Sequence, residues 1–364
     1  MTAAQIRGAL EKLSPRWIDP PVLQPAALYL ELSGEELRRR AFLVADENGA
    51  ELCLRPDMTV PALRAALAAG VKRGVIAYEG LVFRRQSEAS ARESEFVQIG
   101  AEWLGPSDDA AIVATALEAC GAAAKNATLK LGDLALVGGF VAACAFAAPW
   151  QARVKRALTR AHGLDLLRAE LAAPADGEGA ALADSLSQLD EARAEAALAD
   201  LLAVSRITPV GGRSIADIAR RLRMRGEAAR APKPTSDQLA LLDALMHVDA
   251  PIAEALKQVE ALTKHKGVAQ AAPARAAFEA AAAHVKAIEA AAPLPKATRF
   301  APGMGRGLAY YDGFLFELEA PALGDRASLG GGGRYDALVA RLSGEKLEGA
   351  GFALRPARVA EAQR

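Results

Sequence analysis

Residues 140 to 290 set the first constraint on the fold. Ala, Leu, Arg and Glu recur there at helical spacing, as in LADSLSQLDEARAEAALADLLA (182–203), with breaks at PADGEG (174–179) and APKPTS (231–236). Strong helix formers at this density, with no polar cluster returning to one face, predict an all-helical segment that spaces or packs. The flanks read differently. FLVADENGAELCLR (42–55) is two short apolar runs around DENG, a hairpin in which Asn48-Gly49 can supply the positive φ angles of a tight turn. Pro61 then opens a helical pattern with Leu63 and Leu67 four apart. VIAYEGLVFRR (75–85) and EFVQIGAEWLG (95–105) have strand character, followed by a helix through IVATALEA (112–119) and a strand around TLKLGDLALV (128–137). The loop APLPKATRFAPGMG (292–305) closes the Ala-rich stretch, and strand character returns at DGFLFELEAP (312–321). The expectation is an α+β protein whose sheet domain, residues 1–139 and 295–364, is interrupted by a helical insertion over 140–294.

The chain has 364 residues and is 52% apolar, enough for two domains with real cores. No run of eighteen apolar residues is uninterrupted, and MTAAQIRGALEKLSPRW lacks the apolar block of a signal peptide, so a cytoplasmic protein without a membrane partner is expected. Cys53, Cys120 and Cys144 are odd in number and far apart, which fits core thiols rather than a disulfide framework or a metal site. Lys and Arg total 44 against 44 Asp and Glu, leaving no net field for a polyanion. The four histidines are scattered through the helical stretch and suggest no catalytic constellation. Neither a metal nor a cofactor is expected.

Chemistry-bearing residues gather outside that stretch. Along 95–103, strand alternation places Phe96, Gln98, Gly100 and Glu102 on one face and Val97, Ile99, Ala101 and Trp103 on the other. The first face offers an amide and a carboxylate with a glycine notch between them, suited to a small polar ligand; the same pattern also suits an edge strand with a solvated face. If the strand carrying LVFRRQ pairs with it, Arg84 can face the notch and hold an anion. GMGRGLAYYDG carries Arg306, Tyr310 and Tyr311 on a glycine-loosened segment that suits a polar ring or carboxylate, or simply a turn with packed aromatics. GGGGRYD (330–336) lacks the GK[ST] ending of a phosphate loop.

In order, LRPDMT, FRRQ, RESEFVQIGAEWLG, GRGLAYYDGFLFE, GGGRYDALV and GFALRPAR resemble the catalytic core of the histidyl-tRNA synthetases, over residues 15–135 and 295–360. The resemblance implies a dimeric class II synthetase fold, an antiparallel sheet flanked by helices, with a helical insertion where this chain turns Ala-rich. It also implies that Asp57, Thr59, Arg84, Gln98, Glu102, Arg306, Tyr310 and Tyr311 line a histidine pocket and its junction with the activating phosphate.

Departures from the family pattern cluster on the nucleotide side. Asp57 stands for a Glu, Gln86 for a Glu and Ala309 for an Asp; in the last segment Arg355 replaces Gly and Ala357 replaces Glu, while Arg358 keeps its type. A long charged side chain at 355 would meet an adenine or ribose where a bare backbone is needed, and Pro356 removes an amide donor. Gln86 and Ala357 remove carboxylates that could serve a nucleotide or its magnesium. The chain stops at Arg364, where synthetases continue into an anticodon-binding domain, so tRNA is not an expected partner. What remains is similar to the synthetase-like regulatory subunits of ATP phosphoribosyltransferase. That resemblance implies no catalytic residues of its own, partnership with the short-form catalytic subunit, a homodimer within a hetero-octamer, and L-histidine as ligand. The alternative is a truncated synthetase-like enzyme that still forms histidyl-adenylate, for which Arg84, Arg306 and Arg358 argue; a scaffold that binds no small molecule is a third reading.

Overall fold

A computed structural model describes residues 2–29, 40–87, 89–158, 162–172, 179–207, 214–304 and 310–364. The chain divides into two compact units, residues 1–139, 244–263 and 274–364 in the first, and 140–243 and 264–273 in the second. Residues 140–294 thus do not fall in one unit. Ala250–Pro251 (β8) pairs with Phe300 and Arg299 of β9 (Ala297–Phe300), which ties the segment around it to the sheet of the first unit. Among its described residues the second unit contains helices and no strand, from Ala148–Leu158 to Ile215–Arg230 and beyond.

The first unit is built on a nine-stranded sheet in the order β1-β5-β6-β12-β11-β10-β7-β9-β8. Its members are β1 (Arg16–Trp17), β5 (Gly74–Phe83), β6 (Glu95–Leu104), β12 (Gly349–Leu354), β11 (Ser328–Arg334), β10 (Phe314–Glu319) and β7 (Thr128–Asp133), besides β8 and β9. The six central strands from β5 to β7 pair antiparallel; β1 on β5 and β9 on β7 run parallel at the margins. A second sheet has the order β2-β4-β3, from Leu23–Pro25 (β2), Leu43–Ala45 (β3) and Glu51–Leu54 (β4). Helices α1 (Thr2–Glu11), α2 (Thr59–Ala68), α3 (Asp109–Cys120), α13 (Asp336–Ser343) and α14 (Pro356–Ala362) cover the large sheet. The α2 and α13 side encloses a core of Met58, Leu63, Ile76, Tyr78, Val82, Tyr335, Leu338 and Val339. No helix among the described residues is long and apolar enough to cross a membrane.

Two local choices differ from the sequence reading. The strand at 128 stops at Asp133, because its carboxylate accepts the Leu136 N–H at 2.9 Å and starts helix α4 (Leu134–Ala143), a run too uniformly apolar for periodicity to distinguish from strand. In the β3–β4 hairpin only Gly49, at φ 79°, takes a positive φ, while the Asp46 carboxylate accepts from the Asn48 and Ala50 amides to close the turn. GGGG (330–333) lies in the central strand β11. A Cβ at Gly332 would sit 2.0 Å from the Gly351 carbonyl oxygen, so glycine is required by the close approach of β12.

Candidate functional site

Strand register assembles the site. Glu102 lies opposite Gly351, and Gly100 opposite Ala353, while Ala353 in turn faces Gly331 and Gly331 faces Glu317. With alternation, Gln98, Gly100, Glu102, Gly351, Ala353, Gly331 and Glu317 share one face. Arg355, two residues beyond Ala353, follows on that side. Small residues along this row leave a cavity of about 230 Å³ lined by Asp57, Thr59, Arg84, Gln98, Tyr310 and Tyr311, with Met304, Phe352 and Gly330–Gly332 among its walls.

The polar lining is held by secondary structure. Asp57 precedes α2 and accepts the Val60 N–H at 3.0 Å; burial raises its pKa, against the backbone amides of Val60 and Thr59 and the nearby Arg84 cation. The Gln98 side-chain oxygen accepts the Met58 N–H at 3.2 Å, tying strand β6 to the start of α2. Arg84 donates from Nε to the Pro56 carbonyl at 2.7 Å and lies over the Phe96 ring at 5.4 Å; burial lowers its pKa, and Asp57 opposes that effect. The Tyr310 and Tyr311 rings meet at a tilt of 45° with centroids 4.7 Å apart, and both approach Tyr335.

Glu102 sits behind this cavity. It is 0% exposed, accepts the Tyr78 hydroxyl at 2.7 Å on Oε1 and the Tyr335 hydroxyl on Oε2, and lies directly over Gly351. A Cβ on Gly351 would be 1.7 Å from Glu102 Oε2. Burial pushes the carboxyl pKa up to about 8, although the hydroxyls of Tyr335, Tyr78 and Thr59 favour the charged form. Burial thus favours the protonated form of a carboxyl braced by two phenols.

A second cavity of about 460 Å³ adjoins the first through Arg84, Glu317, Ser328 and Arg355, and is also lined by Arg40, Gln86, Glu93, Phe96 and Arg358. The Arg355 guanidinium lies over the Phe96 ring at 4.5 Å. Arg358, 3% exposed, is tied to Glu93 and donates to the Arg326 and Ser328 carbonyls at 3.1 and 3.2 Å. Burial would raise the Glu93 pKa, but hydrogen bonds from Arg358 and Arg326 overcome it and bring it down to about 2. Pro356 is the first residue of α14, where a missing N–H costs the helix nothing.

Of the eight residues singled out in the sequence, Asp57, Thr59, Arg84, Gln98, Tyr310 and Tyr311 meet in one cavity; Glu102 lies sealed beneath it; Arg306 lies outside the described residues, as does Ala309. Sequence reasoning did not single out Tyr78 or Tyr335, and it placed Phe96 on the Gln98 face without giving it a role. The alternation that grouped Gln98 with Glu102 also puts Phe96 on that face, and register then brings Tyr78 opposite Gly100. No group of three His, Cys, Asp or Glu able to hold a metal occurs among the described residues.

The family model for histidyl-tRNA synthetase matches residues 4–229 and 214–359 of this chain. An ATP phosphoribosyltransferase regulatory subunit of Brucella anthropi is 35% identical over 361 residues, covering 96% of this chain and 93% of the relative. One of Sinorhizobium medicae is 35% identical over 373 residues, covering 99% and 96%. Among solved structures, an ATP phosphoribosyltransferase regulatory subunit/histidyl-tRNA synthetase from Bacillus halodurans matches with a TM-score of 0.61 at 19% identity, covering 100% of this chain and 78% of that one. A histidine–tRNA ligase subunit from Alicyclobacillus acidocaldarius matches at 0.60 and 21%, covering 99% and 91%. These two likenesses establish the class II synthetase-like α+β fold.

Proposed function

We propose that this chain, which belongs to the family of ATP phosphoribosyltransferase regulatory subunits among the histidyl-tRNA synthetase-like proteins, is a non-catalytic subunit that acts with the short-form catalytic subunit in the first step of histidine biosynthesis. The observation that carries the proposal is the contrast between adjoining cavities. An amino-acid-sized space keeps its carboxylate, amide, guanidinium and paired phenols, while next to it Arg355 covers the Phe96 ring and Arg358 is bound up with Glu93. Asp57 and Arg84 suit the ammonium and carboxylate of a bound L-histidine, and Gln98 can donate and accept. Glu102, sealed beneath, serves by holding Tyr78 and Tyr335 in place. Buried polar groups left unpaired by an analogue lacking the amine or ring nitrogen would reject it by roughly 10⁴-fold.

Regulation then follows from linkage. A subunit that binds the active catalytic conformation more tightly shifts that population, and histidine reverses the shift only through different affinities for the two states, typically about 1–3 kcal/mol. Exposed Trp17, Leu23, Val44, Leu81 and Val97 supply apolar surface for a homodimer, here placed within a hetero-octamer in the cytoplasm. The test is purification with the short catalytic subunit and assay of phosphoribosyl-ATP formation. Stimulation by this chain, relieved by histidine, is expected. No effect on the catalytic subunit, or robust histidine-dependent pyrophosphate exchange by the chain alone, would overturn the reading in favour of a scaffold or a synthetase-like enzyme.

A further inference from the structure

Arg55 is 4% exposed, and its guanidinium is held by main-chain carbonyls. Its Nε donates to the Leu81 oxygen of β5 at 2.7 Å, and its Nη1 to the Pro20 oxygen ahead of β2. Nη2 lies against Gly80, where a Cβ would come within 2.3 Å of it, so this approach requires a residue without a side chain. The backbone of Arg55 completes the junction: its N–H donates to the Val22 carbonyl at 2.9 Å, and its carbonyl accepts the Phe83 N–H at 3.0 Å. Burial lowers the Arg55 pKa, with Asp19 and Tyr29 opposing that effect. A buried cation is costly to hold, and what this one holds lies next to it in the chain. Pro56 has a fixed φ and biases Arg55 toward extended backbone, so a shift at Arg55 passes to Asp57 with little bending between. The Pro56 carbonyl accepts Arg84 Nε at 2.7 Å, the Asp57 carboxylate accepts the Val60 N–H at 3.0 Å, and the Met58 N–H donates to Gln98 at 3.2 Å. Polar groups lining the amino-acid cavity are thus referred to a segment that Arg55 ties down.

We infer that Arg55 is a positioning residue for the amino-acid cavity: its clamp on Leu81, Pro20 and Gly80 sets where Asp57 and Arg84 stand, without Arg55 touching the ligand. Arg55 is not among the residues lining that space. It acts on Arg84 from both ends, through the Pro56 carbonyl that the Arg84 side chain grips and through Phe83, the residue before Arg84, whose amide it accepts. It acts on Asp57 through the intervening proline. Groups that pair with both ends of a small ligand must be held to within roughly 0.5 Å, which a supporting layer of fixed contacts supplies. Lysine cannot take over the clamp. A single ammonium point does not reach two carbonyls on different segments and lie flat against a glycine, as the planar fork of a guanidinium does. The inference rests on the reading of this cavity as a histidine pocket for its effect on affinity, and on the hydrogen bonds alone for its effect on geometry.

The test compares the full chain with Arg55→Lys and with Gly80→Ala, which keeps Arg55 but presses a methyl group against its Nη2. Without ligand, hydrogen exchange is followed by NMR at the Met58 and Val60 amides and at Arg84 Nε–H, the donors of the bonds named above. Both variants are expected to exchange there about tenfold faster, with the amides of β7 and β10 unchanged. With ligand, L-histidine affinity is expected to fall roughly ten- to a hundredfold, the span that supporting contacts command, while 4-methylimidazole keeps its affinity within about threefold. That compound has the ring but neither the ammonium nor the carboxylate, so it does not call on Asp57 or Arg84. Unchanged exchange at those donors in either variant overturns the inference, as does an equal loss of both ligands, which a general loosening of the cavity would give. A parent chain that binds no L-histidine sinks the histidine reading alone, and the exchange rates still decide the role of Arg55.

Discussion

Glu102→Gln tests the electrostatics of the site directly. In the folded chain Glu102 is held near a pKa of about 8, against an ordinary value of 4.5, with burial as the main cause. Between those two values the folded state keeps a proton that the unfolded state releases. The raised pKa therefore contributes stability that is fully present below pH 4.5 and is lost as pH rises through 8. From pH 5.5 to 8 the two titrations differ by about 2 pK units, which at 1.36 kcal/mol each is about 3 kcal/mol. Glutamine keeps the shape of the neutral acid and can still pair with the Tyr78 and Tyr335 hydroxyls, but does not titrate. The variant should be comparable to the parent at pH 5.5 and gain on it by about 3 kcal/mol at pH 8. Urea unfolding followed at half-unit pH steps, using a probe in the sheet-bearing unit, reads this difference. A parent-to-variant gap that stays flat from pH 5.5 to 8, or widens in the opposite sense, would show that Glu102 is charged in the folded protein and refute the argument.

Other outcomes follow from the same contacts. Gly351→Ala drives a methyl into Glu102 Oε2 and should cost about 1–3 kcal/mol in thermal or urea unfolding, since the surrounding strands cannot move apart. Glu102→Ala should weaken or abolish histidine binding in calorimetry, by releasing Tyr78 and Tyr335; unchanged affinity would remove Glu102 from the site. Arg358→Ala removes one of the two cations on Glu93, which keeps Arg326, and should loosen the docking of α14, visible as faster amide exchange over 356–362. ATP with magnesium should bind the isolated chain weakly, and a micromolar dissociation constant would contradict the covering role of Arg355.

Much of this architecture was legible in the sequence because the signals were local. Alternation along 95–103 grouped Gln98 with Glu102, and a turn rich in Asp, Asn and Gly announced the β3–β4 hairpin. Resemblance supplied what spacing could not, namely that segments 250 residues apart meet. The misjudged points depend on tertiary partners. LALV after Asp133 is as apolar as a strand, and only the carboxylate's hydrogen bond to Leu136 settles it as a helix. Glu102 looked like an open ligand-facing carboxylate because no local pattern shows that Tyr335, 233 residues away, donates to it. The break within 140–294 turned on Ala250–Pro251, a two-residue strand too short to stand out against its helical neighbours.

Gly351 lies in β12, which β6 clasps on one side and β11 on the other, and Arg355 follows directly on the strand's last residue, Leu354. The first makes room for the carboxyl that braces one chamber; the second forms the partition with the next. Tilting or sliding β12 therefore alters both compartments together, as a single lever does with two weights on the same arm. A protein pressing on the helix that starts at Pro356 would push on that arm's end.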